Sequence, residues 1–185
     1  MKNIRKEFVV LDLEATCYNS EVARPIDFVN EIIEIGAIKV DKDCKEISRF
    51  GKFAKPLKFP VISEFCNELT TITQEDIDSA ENLSDVLIEF FDWVDGATLI
   101  SWGMYDKSQL QKDLIRNDLE YLLEQTEDHF SLKHLHGAWN KLKRGGIGLA
   151  GALRFEKLTF EGTAHRGIDD SINITKIFRK YIDRF

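Results

Sequence analysis

Four acids and one histidine in this chain stand where their chemistry is costly unless it is used: Asp12, Glu14, Asp106, Asp170 and His165. Asp12 and Glu14 close an unbroken apolar run, Phe8 to Leu11. Such a run reads as a buried strand, and strand side chains alternate between faces, so the two acids point the same way while Leu11 and Leu13 point the other. Paired carboxylates at a buried strand end repel each other and lose hydration, which a divalent cation would offset. The plain alternative for this stretch by itself is a strand end with two solvated acids. Asp106 opens a helical pattern with Leu110 and Leu114 at four-residue spacing, which turns its carboxylate inward. Asp170 lies four residues before Ile174 and seven before Ile177, on an apolar stripe completed by Phe178 and Tyr181. Asp169, one step round, faces solvent. Oxygen donors of this kind suit hard cations such as Mg²⁺ or Mn²⁺. Four carboxylates can hold two ions, as in-line phosphoryl transfer uses them. His165, in a glycine-containing loop, supplies a base for the attacking water.

These residues need elements to bring them together. Glu31 to Val40 and Glu46 to Phe53 read as strands joined by the turn Asp41-Lys42-Asp43, so the first three strands form an antiparallel meander. Tyr18 to Asn30 is a polar loop at the rim of the acidic pair. Beyond Pro60 the pattern becomes helical. Ser63 to Leu69 forms a short helix, Thr73-Gln-Glu-Asp76 a capping box, and Leu83, Val86, Leu87, Phe90 and Val94 mark a helix over 82–94 that Gly96 ends. Ala97 to Trp102 is the next strand and His129 to Leu132 another. Ser131 caps a helix running to Trp139, Gly148 to Phe155 is a short helix, and the last helix spans 166–181. Strand and helix alternate in this later half, as in α/β folds with parallel pairing. Gly145-Gly-Ile-Gly148 lacks phosphate-loop spacing and has no nucleotide role.

A length of 185 residues, with 43% hydrophobic and 31% charged, suits one globular domain with a real core. The net charge of −7 argues against broad nonspecific binding to nucleic acid or anionic membrane, yet clustered metal-holding acids contribute to that total. Cys17, Cys44 and Cys66 have no metal spacing and suit free thiols in a reducing cytoplasm. The apolar run after the N-terminal MKNIRKEF is too short for a signal peptide, and no stretch approaches a membrane span.

Asp12-Leu-Glu-Ala-Thr, Asp106 within Tyr-Asp-Lys-Ser-Gln-Leu, and His165-Arg-Gly-Ile-Asp-Asp170 resemble the three motifs of the DEDDh 3′→5′ exonucleases. The His-x4-Asp spacing marks the histidine subgroup. Asn30-Glu-Ile-Ile-Glu-Ile-Gly, Phe65-Cys-Asn-Glu-Leu-Thr-Thr-Ile-Thr73 and the run His165 to Asn173 look most like the branch that trims histone-mRNA and small-RNA ends, which has bacterial sporulation-inhibitor relatives. The resemblance implies a ribonuclease-H-like α/β fold over 1–185, a single exonuclease domain. Its mixed five-stranded sheet is antiparallel over the first three strands, then parallel, and is flanked by helices. It implies that Asp12, Glu14, Asp106 and Asp170 hold two Mg²⁺ or Mn²⁺ ions and that His165 is the general base. The backbone around Leu13, Ala15 and Thr16 would grip the terminal nucleotide. Ile72 would lie against the last base, with Thr71 where glycine is common, and Tyr105 would offer a stacking surface. The implied activity is hydrolysis of single-stranded 3′ ends to nucleoside 5′-monophosphates, with RNA preferred and the cytoplasm as its location.

A DNA exonuclease of the same chemistry, and a regulatory protein-binding protein with incidental exonuclease activity, are the alternatives. A binding module without turnover would need a basic surface, against which the acidic charge counts. Trp102 and Phe130 read as core. His129, His134 and His136 read as structural or surface residues, and Lys107, Lys141, Lys143 and Arg144 as a solvated face. The acids from Glu75 to Glu81 read as a solvated helix face, and Arg166 as either a phosphate contact or a surface residue.

Overall fold

The computed structural model describes residues 7–21, 24–142 and 145–185. Five strands form one sheet: β1 (Phe8–Ala15), β2 (Ile32–Val40), β3 (Glu46–Phe53), β4 (Thr98–Ser101) and β5 (His129–Ser131). Their spatial order is β3-β2-β1-β4-β5. β1, β2 and β3 pair antiparallel, whereas β4 runs parallel to β1 and β5 parallel to β4. The helices are α1 (Glu64–Thr70), α2 (Gln74–Ser79), α3 (Leu83–Val94), α4 (Tyr105–Arg116), α5 (Leu132–Trp139), α6 (Leu149–Phe155) and α7 (Gly167–Arg179). The expected mixed sheet flanked by helices is therefore what the chain forms.

β1 is apolar on both faces because helices cover both. Val9, Leu11 and Leu13 pack with Val86, Phe90 and Val94 of α3 and Leu110 and Leu114 of α4. Phe8 and Val10 pack on the opposite face with Ile174, Ile177 and Phe178 of α7. Each fully buried side chain of this size stabilises the fold by roughly 1.5–3 kcal/mol. The alternation continues along β1, so Asp12 and Glu14 follow Phe8 and Val10 onto the α7 face. On β2, Glu34 is registered opposite Glu14 and Gly36 opposite Asp12. At Gly36 the start of α7 touches the sheet backbone. A Cβ there would sit 1.9 Å from the Gly167 carbonyl carbon, so only glycine fits.

Several expectations change in detail. The last helix spans 167–179 rather than 166–181, and Tyr181 packs beyond its end, stacked on Trp139. Ser131 stands at the N-cap of α5 but makes no capping bond, because its hydroxyl donates to the Trp102 carbonyl and meets His134 Nδ1 at 2.7 Å. Asp95 takes the left-handed position after α3, with φ 49°, one residue before Gly96. Phe130 is not core: on the short edge strand β5 it is 41% exposed and meets Phe185 edge-on. Lys107 is not a free solvated lysine, since its ammonium pairs with Glu127 at 3.2 Å. Lys143 and Arg144 lie outside the described residues. Among the described residues, no helix is long and apolar enough to cross a membrane.

Candidate active site

β1 and β4 are parallel, so their carboxyl ends open on the same edge of the sheet, where ligands of open α/β sheets bind. Asp12 and Glu14 lie at that end of β1. Beyond the end of β4 the chain turns straight into α4, whose second residue is Asp106. α7 brings Asp170 from the other side, 9% exposed. Immediately before α7, His165 takes a left-handed backbone conformation, φ 61°. A bond from its N–H to Asp170 Oδ2 at 3.1 Å fixes that turn. Non-glycine residues held there cost about 1–2 kcal/mol, a strain that accumulates at functional sites.

Glu14, His165 and Asp170 each offer a ligand atom within 4.8 Å of the others. Asp12 and Asp106 fall outside that tight triple but share its electrostatic field. Burial pushes the Asp12 carboxyl well up, and the charges of Asp106, Asp170, Glu14 and Glu34 push it further. Glu14 is raised to about 8 by burial, then by Asp170 and Glu34. Asp106 is raised to about 6 by burial, partly offset by hydrogen bonds from Ser101 and the Leu13 N–H. Burial also raises Asp170, against the His165 N–H and ring. All four acids thus hold protons more tightly than ordinary carboxylates, as acids crowded together without a counter-charge must. Carboxylate oxygens with one imidazole fit a hard divalent cation, and the crowding itself requires positive charge.

The buried acids outside this cluster have different company. Glu31, fully buried, accepts N–H bonds from Leu57, Lys58 and Phe59. Asp113 accepts from Ile32 N–H and Gln109 and pairs with Arg116. Asp169 accepts from Thr163 N–H at 2.8 Å and serves its loop. His136 is buried against Glu156 at 2.9 Å, a structural pair.

The expected substrate contacts divide. Tyr105 is half exposed beside Asp106 and offers a ring face. Leu13, Ala15 and Thr16 are buried, and Thr16 is bonded into the β1–β2 junction: its N–H donates to Glu31 O, its hydroxyl accepts from Glu31 N–H, and its carbonyl accepts from Asn30. Its backbone N–H is therefore taken, and its carbonyl holds one bond and keeps a second lone pair. Ile72 is a clear correction. It is fully buried with Ile33, Cys66 and Ile77, because the turn between α1 and α2 folds it inward, and it presents no surface to a base. Thr71 beside it takes the left-handed C-cap of α1, φ 62°, the conformation glycine adopts most readily. A cleft of about 450 Å³ beside α1, lined by Tyr18, Asn19, Ser63, Glu64, Phe65 and Glu68, is an aromatic surface that sequence reasoning did not single out. The Ser63 hydroxyl donates to the Cys17 carbonyl and ties this cleft to the end of β1. Glu34 was also missed. Only the cross-strand register, which the sequence does not print, places it beside Glu14.

A mixed five-stranded sheet of this order, flanked by helices, is the fold of ribonuclease-H-like exonucleases. The chain belongs to the exonuclease family RNase_T, which matches residues 9–178. Human 3′-5′ exoribonuclease 1 is 30% identical over 180 residues, an alignment covering 91% of this chain and 50% of that protein. The probable 3′-5′ exonuclease KapD of Bacillus subtilis is 25% identical over 181 residues, covering 92% of this chain and 82% of its own. The crystal structure of the nuclease domain of 3′hExo, a DEDDh family member bound to rAMP, matches with a TM-score of 0.79 at 24% identity, over 100% of this chain and 95% of that one. The chain spans about half the length of the mammalian 3′-5′ exoribonuclease 1 relatives it matches.

Proposed function

We propose that this chain, acting as a single catalytic domain, is a metal-dependent 3′→5′ exonuclease of single-stranded 3′ ends, with RNA preferred and nucleoside 5′-monophosphates released. The convergence of Glu14, His165 and Asp170 within 4.8 Å, next to Asp12 and Asp106, carries this reading. The family supports the exonuclease chemistry, and the exoribonuclease names of its relatives support RNA. Asp12, Glu14, Asp106 and Asp170 would hold two ions, Mg²⁺ or Mn²⁺. Such ions supply charge neutralisation at the phosphate and a more acidic water. His165 takes the proton of the attacking water on its imidazole. Water adds to phosphorus, the bond to the 3′-oxygen of the penultimate nucleotide breaks, and that oxygen takes up a proton from solvent while His165 returns its own to solvent. Tyr105 and the Tyr18–Phe65 cleft are the surfaces on which terminal bases stack. The three free thiols, Cys17, Cys44 and Cys66, fit the reducing cytoplasm as its location.

Purified protein incubated with 5′-labelled single-stranded RNA and Mn²⁺ or Mg²⁺ is expected to give a ladder shortening from the 3′ end. DNA of the same sequence, run alongside, is expected to shorten more slowly. Faster loss of DNA would overturn the RNA preference, and no degradation of either under any divalent metal would overturn the enzyme.

A further inference from the structure

The structure holds one charged pair at the site that the chemistry above does not use. Glu34 sits on β2 directly across from Glu14, on the same sheet face as Asp12 and Glu14, and is 3% exposed. Its carboxylate accepts the Arg166 guanidinium on both prongs, Nε to Oε2 and Nη2 to Oε1, each at 3.2 Å. Oε2 also accepts the Gly167 N–H at 3.0 Å. Arg166 is the N-cap residue of α7 and lies between His165 and the helix. Its guanidinium lies over the Phe53 ring, 5.1 Å from the centroid. Two residues along the same face of β2, Gly36 is in backbone contact with Gly167, and a Cβ on Gly167 would lie 3.0 Å from the Asp12 carbonyl oxygen. The start of α7 is thus seated on β2 at two adjacent points, one a backbone contact and one the Glu34 carboxylate. His165 lies just before those points in the chain and Asp170 just after them.

We infer that Glu34 and Arg166 are positioning residues for the hydrolytic site: their two-pronged contact, with the Gly167 N–H, holds the His165 turn and Asp170 in register with Asp12 and Glu14. This rests on the hydrolytic reading of the four-acid site. Three other roles make different demands. A pure field effect needs only the positive charge at residue 166. A phosphate contact by Arg166 would show in substrate binding. A purely structural role would show in stability, with activity per folded molecule intact. An arginine presents a planar fork that a lysine does not, so charge and geometry can be separated.

The test uses Arg166→Lys, which keeps the charge and loses the fork, and the double variant Glu34→Gln with Arg166→Gln, which removes both charges together and leaves no buried carboxylate unpaired. Steady-state kinetics on single-stranded RNA, Mn²⁺ affinity by electron paramagnetic resonance of free Mn²⁺, and the melting temperature are measured on each beside the wild type. Orienting partners of metal-site groups are typically worth about 10–100-fold in affinity or activity. Both variants are therefore expected to lose kcat by at least about 10-fold, to bind Mn²⁺ several-fold more weakly, and to keep the wild-type KM. Full kcat and unchanged Mn²⁺ affinity in Arg166→Lys would overturn the inference in favour of the field effect. A raised KM with kcat intact would overturn it in favour of a phosphate contact. A lowered melting temperature with both functional readouts intact would overturn it in favour of fold stability alone. A wild type that degrades neither RNA nor DNA would instead refute the hydrolytic reading, and Mn²⁺ affinity would still report on the pair.

Discussion

Replacing Glu14 by glutamine is expected to stabilise the metal-free protein at alkaline pH while removing its activity. Glu14 is held to about 8 by burial and by the charges of Asp170 and Glu34, against an ordinary value of 4.5. The folded protein therefore keeps this proton over a pH range in which the unfolded chain has released it. Stability falls as pH rises through that window, from about 4.5 to about 8, and the loss is complete above it. At about 1.36 kcal/mol per pH unit, the full interval is worth up to about 5 kcal/mol, and solvent screening at a half-buried group brings the expected cost to about 3 kcal/mol. For a chain of this length that is a melting-temperature difference of roughly 6–12 °C. Asp12, Asp106 and Asp170 are raised in the same direction, so the wild type loses stability more steeply still. The assay is thermal unfolding in EDTA at pH 5 and pH 8. At pH 5 the two proteins should melt close together; at pH 8 the Glu14→Gln protein should melt clearly higher. Saturating Mg²⁺ or Mn²⁺ at pH 8 should raise the wild type most, because a bound cation supplies the missing counter-charge and stabilises the state that binds it. A Glu14→Gln protein no more stable than wild type at pH 8 in EDTA would refute the idea that the acids repel in the empty site.

His165→Ala is expected to lower kcat by about 10²–10⁴-fold with KM little changed, as loss of a general base does; full turnover in this variant would assign the proton to another group. Tyr105→Ala should weaken single-stranded substrate binding by the ~1–3 kcal/mol typical of one base–aromatic stack, read as a raised KM, and an unchanged KM would place the terminal base elsewhere. Gly36→Ala puts a Cβ 1.9 Å from the Gly167 backbone, so α7 must move; thermal unfolding should show a loss of about 3 kcal/mol, and wild-type stability would mean that α7 is not seated on β2 at Gly36.

How far the site was legible follows from what kind of signal each residue leaves. Asp12, Glu14, Asp106 and Asp170 interrupt apolar patterns of period two or four, and a broken pattern is visible in one dimension. The capping box at Thr73 and Asp76 was legible for the same reason: it is local, and both of its reciprocal hydrogen bonds form. Ile72 was misplaced because a residue in a turn has no periodicity to say which way it points, and here the turn between α1 and α2 directs it into a small core with Ile33 and Ile77. Phe130 was misplaced because its strand is three residues long and lies at the sheet edge, where an aromatic ring gains cover from one side only. Glu34 stood within the quoted stretch Asn30 to Gly36, but its pairing was not legible, since its partners Arg166 and Gly167 are more than a hundred residues away in sequence.

The inward carboxylate, which led from sequence to site, is by itself an ambiguous sign. Glu31 and Asp113 are as buried as Asp106, and nothing in their periodicity separates them from it. What separates them is where their negative charge goes. Glu31 meets backbone N–H groups at Leu57, Lys58 and Phe59, and Asp113 meets Ile32 N–H, Gln109 and Arg116, so each is satisfied within the fold and fixes a loop or a helix to the sheet. Asp12 and Glu14 meet mainly one another, Asp106, Asp170 and Glu34, and only Glu34 among these has its own cation. A buried acid answered by donors is part of the scaffold. A group of acids answered mainly by each other is incomplete without a cation, and that incompleteness, rather than burial, marks the candidate site.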